Sequence, residues 1–332
     1  MRETNRDIGR SLALLTMMER IRAFERQAEL AATRDRLVLG AIHLSYGQEA
    51  VAAGVMHALR RDDLLLSTHR GHGHTLAKGA DPAAMMKELL GRAGGCCGGK
   101  GGSMHIADFG VGMLGANGVV AANITIGAGA AHGIRLLGDD RIVVDIFGDG
   151  AINRGPFLEG LNWAAVFSLP VLFVCEDNEW SATTRTARMT AGAGAAARAR
   201  AIGIEAETVD GADVEAVADL AAELVARVRR DRRPAFLHAR TWRAGGHTYF
   251  DPAAYRDSAE AEARAREGDP IERQRARLAA AGIAAAELDA IRAGAMAEME
   301  AALAAAAAAP FPPAAAAFSD VQDIGSPAGE AY

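Results

Sequence analysis

Two short turns carry the densest chemistry in this sequence. Gly148-Asp149-Gly150 follows the apolar run 142–147, and Asp177-Asn178 follows the apolar run 171–175. A carboxylate and an amide oxygen among glycines suit a hard cation. Magnesium takes one or two carboxylates and completes its octahedron with phosphate oxygens and water. Glycines beside Asp149 let backbone N–H groups approach a phosphate, and a helix starting after Gly150 would present its N-terminus to the same anion. Alone, Gly-Asp-Gly is an ordinary strand-to-helix turn; an Asp-Asn turn one βαβ unit later makes the pair informative. Histidines form the second group. His69, His72 and His74 share one glycine-rich loop, and His247 lies in another loop after an apolar run. An unperturbed imidazole titrates near pH 6.5, so such groups could exchange protons.

The elements that must position these residues can be read from periodicity. Residues 8–35 have helical spacing of Leu, Ile and Phe, and Gly47-Gln48-Glu49 opens a second helix. Residues 92–103, RAGGCCGGKGGS, must be irregular backbone with several positive-φ positions. Runs 142–147 and 171–175, joined by a helix over 156–167, make a βαβ unit and hence a parallel sheet. PAFLHARTWRAGGH supplies a further strand entering a loop. In an open parallel sheet, ligands sit beyond the carboxyl ends of the strands, where both turns fall. Residues 257–309 are Ala/Arg/Glu-rich and read as mostly helical. Residues 311–332 form a Pro/Ala-rich tail, expected to be loosely held.

Bulk properties exclude other classes. The chain has 332 residues, half of them apolar, and a net charge of −6. A mildly acidic chain without a cationic tail gives no expectation of nucleic acid, whose phosphates call for a basic patch. No run approaches the ~20 apolar residues of a membrane span, and residues 12–18 read as part of the first helix rather than a leader. A cytoplasmic protein with no membrane partner is expected. Cys96, Cys97 and Cys175 lack zinc or redox spacing and read as reduced thiols. Gly94–Lys100 has a P-loop outline, but Gly101 replaces the Ser/Thr that would hold magnesium. Asn153 stands where a dinucleotide fingerprint needs glycine.

GDGAINRG followed by FVCEDNEW resembles the thiamine-diphosphate motif, and more narrowly the α subunit of pyruvate- and acetoin-type dehydrogenases. HLSYGQEA, STHRGHGH, KGGSMHIAD, LGANGVV and TWRAGGHTYFDP occur in that family's order, with Asp269–Ile271 in its late helical region. The resemblance implies an α/β thiamine-diphosphate-binding fold over 1–310, a mostly parallel sheet flanked by helices, with a helical C-terminal part from about 257. It implies thiamine diphosphate and Mg2+ as cofactors. Asp149 and Asn178, with the main-chain carbonyl of Trp180, would be the metal ligands. Gly150 and Ala151 would line the diphosphate, His69 and Arg70 would reach its phosphate side, and Gly118 and Val120 would meet the aminopyrimidine. His72 and His247 would point into the active channel as catalytic groups, His247 also touching cofactor; His74 reads as structural.

The resemblance further implies a partner. The glutamate that activates the cofactor would come from a β subunit, in an assembly of two α and two β chains, since Glu49 reads as structural. The acyl group of acetoin or of a 2-oxo acid such as pyruvate would pass to a lipoyl-bearing acyltransferase. The acetoin type fits most closely; a branched-chain enzyme, or a non-catalytic paralogue acting as a scaffold for β, are the alternatives. The sequence departs from the family at Ala121, where Gly is common, at Ala244-Gly245 before the Gly246-His247 pair, and at Thr248. Arg154 near the phosphate site could contact phosphate or face solvent.

Overall fold

Apolar β-branched runs line up side by side because each is too short and too buried to satisfy its backbone except in a sheet. The computed structural model describes residues 2–38 and 40–319; of the expected tail, residues 320–332 lie outside the described residues. The strands in chain order are β1 (Leu64–Thr68), β2 (Met113–Asn117), β3 (Val143–Gly148), β4 (Val171–Asp177), β5 (Trp180–Ser181), β6 (Thr184–Arg185), β7 (Glu205–Asp210) and β8 (Ala235–Arg240). Six of them form one all-parallel sheet in the order β2-β1-β3-β4-β8-β7, and β5 and β6 form a small antiparallel pair. The expected α/β class with a parallel sheet is therefore what the chain adopts.

Alternation along the strands divides the core in two. Val144, Ile146, Leu172, Val174, Leu237 and Ala239 face one side, and Val143, Phe147, Val171, Phe173, Cys175 and Phe236 face the other. The helices α1 (Arg2–Thr33), α2 (Glu49–His57), α3 (His72–Ala77) and α4 (Pro82–Leu89) belong to the first side. So do α8 (Val214–Asp231), α10 (Pro270–Ala280) and α11 (Ala285–Ala308). The second side is covered by α5 (Ala122–Leu136), α6 (Gly155–Val166) and α7 (Ala195–Ala201). Helix α9 (Ser258–Glu267) buries little of its surface. Asp81, Asp213 and Asp269 cap α4, α8 and α10 through their side chains.

The C-terminal helical region is part of this body, since α11 packs on α1 and α4. The segment after it docks as well: the Arg92 guanidinium lies 3.9 Å from the Phe311 ring centroid, and Lys100 Nζ donates to the Ser319 carbonyl at 2.6 Å. The glycine-rich segment 92–103 is irregular, and the buried Glu88 carboxylate organises it. It accepts from the backbone N–H groups of Cys97, Gly99, Gly101 and Gly102. Two of the elements that the sequence reading passed over are instructive. Strand β7 is an edge strand whose side chains are mostly exposed, so no apolar run marks it. Helix α8 does carry a helical apolar stripe, Val214, Val217, Ala221, Leu224 and Val228.

Candidate functional site

From β1 the chain crosses to β2 on one side, then returns to β3 on the other. This topological switch leaves a crevice beyond the carboxyl ends of β1 and β3. A cavity of about 210 Å³ occupies it. Its wall takes Thr68, His69 and Arg70 from the end of β1, and residues 117–121 from the end of β2. The tip of β3 gives residues 148–151, and Glu176, Asn178 and Trp180 come from β4 and the turn after it. Arg243 and His247 from the loop after β8, and His43, complete the part that bears on function.

Register brings the two motif residues together. Gly148 of β3 lies beside Glu176 of β4, so Asp149 and Asn178 project from adjacent strand tips. Both are buried and line the same cavity. The Asp149 carboxylate accepts from the Thr186 hydroxyl. Burial, and then the charge of Asp177, push Asp149 up to about 7. The Thr186 hydroxyl and the charge of Arg243 offset only part of that rise. Asn178 is held at both ends of its amide: Nδ2 donates to Gln48 Oε1 at 2.6 Å, and Oδ1 accepts from Trp180 N–H at 3.1 Å. Gly150 is required by contact, because a Cβ there would lie 2.5 Å from Ser181 Oγ. An acid, an oriented amide oxygen and exposed backbone in one cavity wall form a hard-cation and phosphate donor set.

Two distant loops meet over the cavity. Ala244 N–H donates to Tyr46 O at 2.9 Å and Tyr249 N–H to Ile42 O at 3.1 Å. Gly47, at φ 85°, approaches Trp242 so closely that a Cβ would stand 2.5 Å from its carbonyl oxygen. Arg70 clamps the pair by donating to the carbonyls of Leu44 and His247, the latter at 3.1 Å. His43, His69 and His247 consequently cluster, with ring centroids 4.5, 4.8 and 5.6 Å apart. Burial first, and then the nearby Arg70 and other cations, push His247 down to about 4 and His69 to about 3. His247 is thus held below the ordinary imidazole value that its residue type alone suggests.

The family model for the dehydrogenase E1 component matches residues 16–315. The chain belongs to the dehydrogenase E1 component family. The α subunit of acetoin:2,6-dichlorophenolindophenol oxidoreductase from Cupriavidus necator is 43% identical over 249 residues, 75% of this chain and 74% of the relative. Its counterpart from Bacillus subtilis is 41% identical over 264 residues, 79% of each chain. The pyruvate dehydrogenase E1 component subunit alpha of Rhizobium meliloti is 40% identical over 239 residues, 72% of this chain and 69% of that one.

One residue of the expected E1 site is elsewhere. His72, expected to point into the active channel, does not line the cavity and is 0% exposed. Its Nδ1 meets Glu25 Oε2 and its Nε2 meets Ser103 Oγ, each at 2.8 Å. Helix α3 begins at His72, and its first turn directs this side chain back onto α1. His74 is likewise packed, on Ser67 Oγ at 2.8 Å. Glu49 is buried in an ion pair with Arg22, which also holds Asp269 at 3.0 Å. Arg154 is exposed and lies outside the cavity wall, so it faces solvent. Gly118 and Val120 do line the cavity, and Val120 is 45% exposed at its rim.

Sequence reasoning missed His43, Gln48 and Arg243. His43 and Gln48 stand within the recognised HLSYGQEA run, but only the meeting of loops gives them a role. Arg243 is almost fully buried beside the cavity, where it donates to Ala182 O and Tyr255 Oη at 3.0 and 2.9 Å. No helix among the described residues is long and apolar enough to cross a membrane.

Proposed function

We propose that this E1 chain is the α subunit of a thiamine-diphosphate-dependent dehydrogenase acting on acetoin or a 2-oxo acid such as pyruvate. The observation that carries the reading is the convergence of Asp149 and the fixed Asn178 amide on one cavity at the sheet's switch point. Asp149, Asn178 and the Trp180 carbonyl would hold Mg2+, and Gly150 and Ala151 would offer backbone to the diphosphate. The residues fit: a buried carboxylate and an oriented amide oxygen share one cavity wall, and the tight Gly150–Ser181 contact keeps side chains out. The bound cofactor supplies an ylid that attacks a carbonyl and then acts as an electron sink.

The chain's own groups would bind and orient. Gly118 and Val120 would meet the aminopyrimidine at the rim. Arg243 places a buried positive charge near Asp149 and the phosphate side. Arg70 spends its hydrogen bonds on loop carbonyls, so it would act on phosphate through charge while holding His247 in place. The neutral His247 and His69 can donate or accept hydrogen bonds to substrate without carrying charge.

A β subunit would complete the site, in two α and two β chains, and a lipoyl-bearing acyltransferase would receive the acyl group. Two features support a protein partner. Val119 and Val120 leave the cavity rim open to solvent, and α5 and α6 expose Leu136 and Trp163 along one groove. The relatives named acetoin oxidoreductase are the more similar, which favours acetoin. Calorimetry tests the cofactor reading: thiamine diphosphate should bind only with Mg2+ and not at all to Asp149→Ala. Normal affinity in that variant refutes the metal role. Turnover of acetoin or pyruvate with an artificial electron acceptor should require co-expressed β chain, and robust activity of α alone overturns the divided site.

A further inference from the structure

The three clustered histidines line the same cavity as Asp149 and Asn178 but form a second set of candidate donors, all nitrogen. The candidate ligand nitrogens of His43, His69 and His247 all lie within 4.8 Å of one another. Their rings meet edge to face, inclined at 69°, 74° and 65°. His43 Nδ1 and His247 Nδ1 are buried without a hydrogen-bond partner. A neutral imidazole has one nitrogen lone pair free for a metal. Burial first, and then the crowding of the neighbouring imidazoles and arginines, push His43 down to about 2, His69 to about 3 and His247 to about 4, which favours the neutral rings.

Imidazole nitrogen suits zinc, copper and nickel, whereas magnesium prefers oxygen. In a tetrahedral zinc site with Zn–N near 2.0–2.1 Å, the nitrogens stand roughly 3.4 Å apart. Binding would draw the nitrogens inward from their present separation of up to 4.8 Å, on three segments that Arg70, next to His69, ties together through the carbonyls of Leu44 and His247. The charges of Arg70 and Arg243 oppose any cation here. Coordinate bonds to a transition ion can outweigh that repulsion, and the weaker attraction of imidazole for Mg2+ or Ca2+ cannot.

We propose that His43, His69 and His247 form a three-imidazole site for a zinc-class divalent ion, separate from Asp149 and Asn178, whose occupation obstructs the cavity. Three protein nitrogens leave a fourth position for water or a substrate oxygen. The bound ion would stand in the cavity wall beside Arg70, so it inhibits whatever reaction the cavity serves. Binding itself does not depend on the cofactor reading.

The test is a cobalt(II) titration of the full chain after chelator treatment, followed by its visible d–d absorption. One equivalent of four-coordinate, nitrogen-ligated cobalt is expected, displaced by zinc, with an imidazole shell in X-ray absorption at the zinc edge. His43→Phe and His69→Phe should each weaken binding by about 10–100-fold or more, since even outer-shell partners of a ligating histidine are worth that much. Circular dichroism checks folding, and the milder His69→Gln gives the same comparison if the phenylalanine variants do not fold. Asp149→Asn separates the two sites: it should abolish magnesium-dependent thiamine diphosphate binding and leave the cobalt titration unchanged. Equal cobalt affinity in wild type and histidine variants, no saturable binding, or loss of cobalt binding in Asp149→Asn would each overturn the proposal.

Discussion

Asn178 Nδ2 donates to Gln48 Oε1 at 2.6 Å, across 130 residues of sequence. This bond fixes which way the amide faces. Trp180 N–H can only donate, so the atom it meets at 3.1 Å must be the Asn178 oxygen. Gln48, just before α2, thereby decides how the tip of β4 presents its oxygen to the cavity. Partners of this kind around a metal ligand are typically worth 10–100-fold in affinity. Gln48→Met should therefore weaken magnesium-dependent cofactor binding by about that factor while leaving the fold intact. Unchanged affinity by calorimetry would show that Asn178 needs no such support.

Arg70 holds two loops through carbonyls of Leu44 and His247. A lysine keeps the charge but replaces the rigid planar fork, whose two terminal nitrogens reach separate carbonyls, by a single nitrogen on a flexible stem. Arg70→Lys should cost about 1.5–3 kcal/mol, the worth of hydrogen bonds to a charged group. Amide exchange should quicken in residues 42–47 and 241–249 and nowhere else. A uniform increase across the sheet would contradict the clamp.

His72 is placed as a partner of the buried Glu25, not as a group at the reacting centre. Burial pushes Glu25 up, and the charge and hydrogen bond of His72 with two bonds from Ser45 outweigh it, leaving the carboxyl below its ordinary range. His72→Ala strands that carboxylate, so a loss of about 3–5 kcal/mol is expected on chemical denaturation. Cofactor affinity of the protein that remains folded should be near normal. Full stability with turnover abolished would return His72 to the active channel.

Ala121 begins α5 at φ 74°, where an L-residue with a Cβ is strained by about 1–2 kcal/mol. Ala121→Gly relieves the strain but loosens the unfolded chain. The net expectation is a gain of about 0.5–1 kcal/mol in thermal or urea unfolding. A destabilised Ala121→Gly would mean that its methyl packing in the core outweighs the backbone term.

Asp213 caps α8 and pairs with Arg277 and Arg273. The hydrogen bond from Arg277 leads the causes that hold it at about 2, below its ordinary 3.8. A depressed acid contributes stability above its unfolded value and loses it as pH falls. Asn keeps the cap and removes the charge. Asp213→Asn should thus be less stable than wild type at pH 7 by on the order of 1 kcal/mol, reduced by solvent screening. The two unfolding curves should converge between about pH 4 and 2. A constant difference across that window would place the effect in the cap alone.

The sequence by itself determined the strands β3 and β4, the parallel sheet, and the pairing of Asp149 with Asn178. These follow from local signals: short apolar runs, turn residues at their ends, and one helix between. It also located the glycine-rich segment and Gly150, whose need for space is written in residue type. The span of β4 ran two residues beyond the apolar run, to Asp177, because β8 pairs with it there. Strand β7 left no apolar trace because an edge strand exposes most of its side chains.

Tertiary structure alone decided what the histidines do. His69 and His72 are neighbours in one loop, yet one lines the cavity and the other is sealed against α1, because α3 starts between them and reverses the side-chain direction. His43 and Gln48 acquired roles only when residues 42–47 met residues 241–249. The titration of His69 and His247 was equally illegible. It is set by burial and by Arg70 and Arg243, charges that reach the cluster through space rather than along the chain.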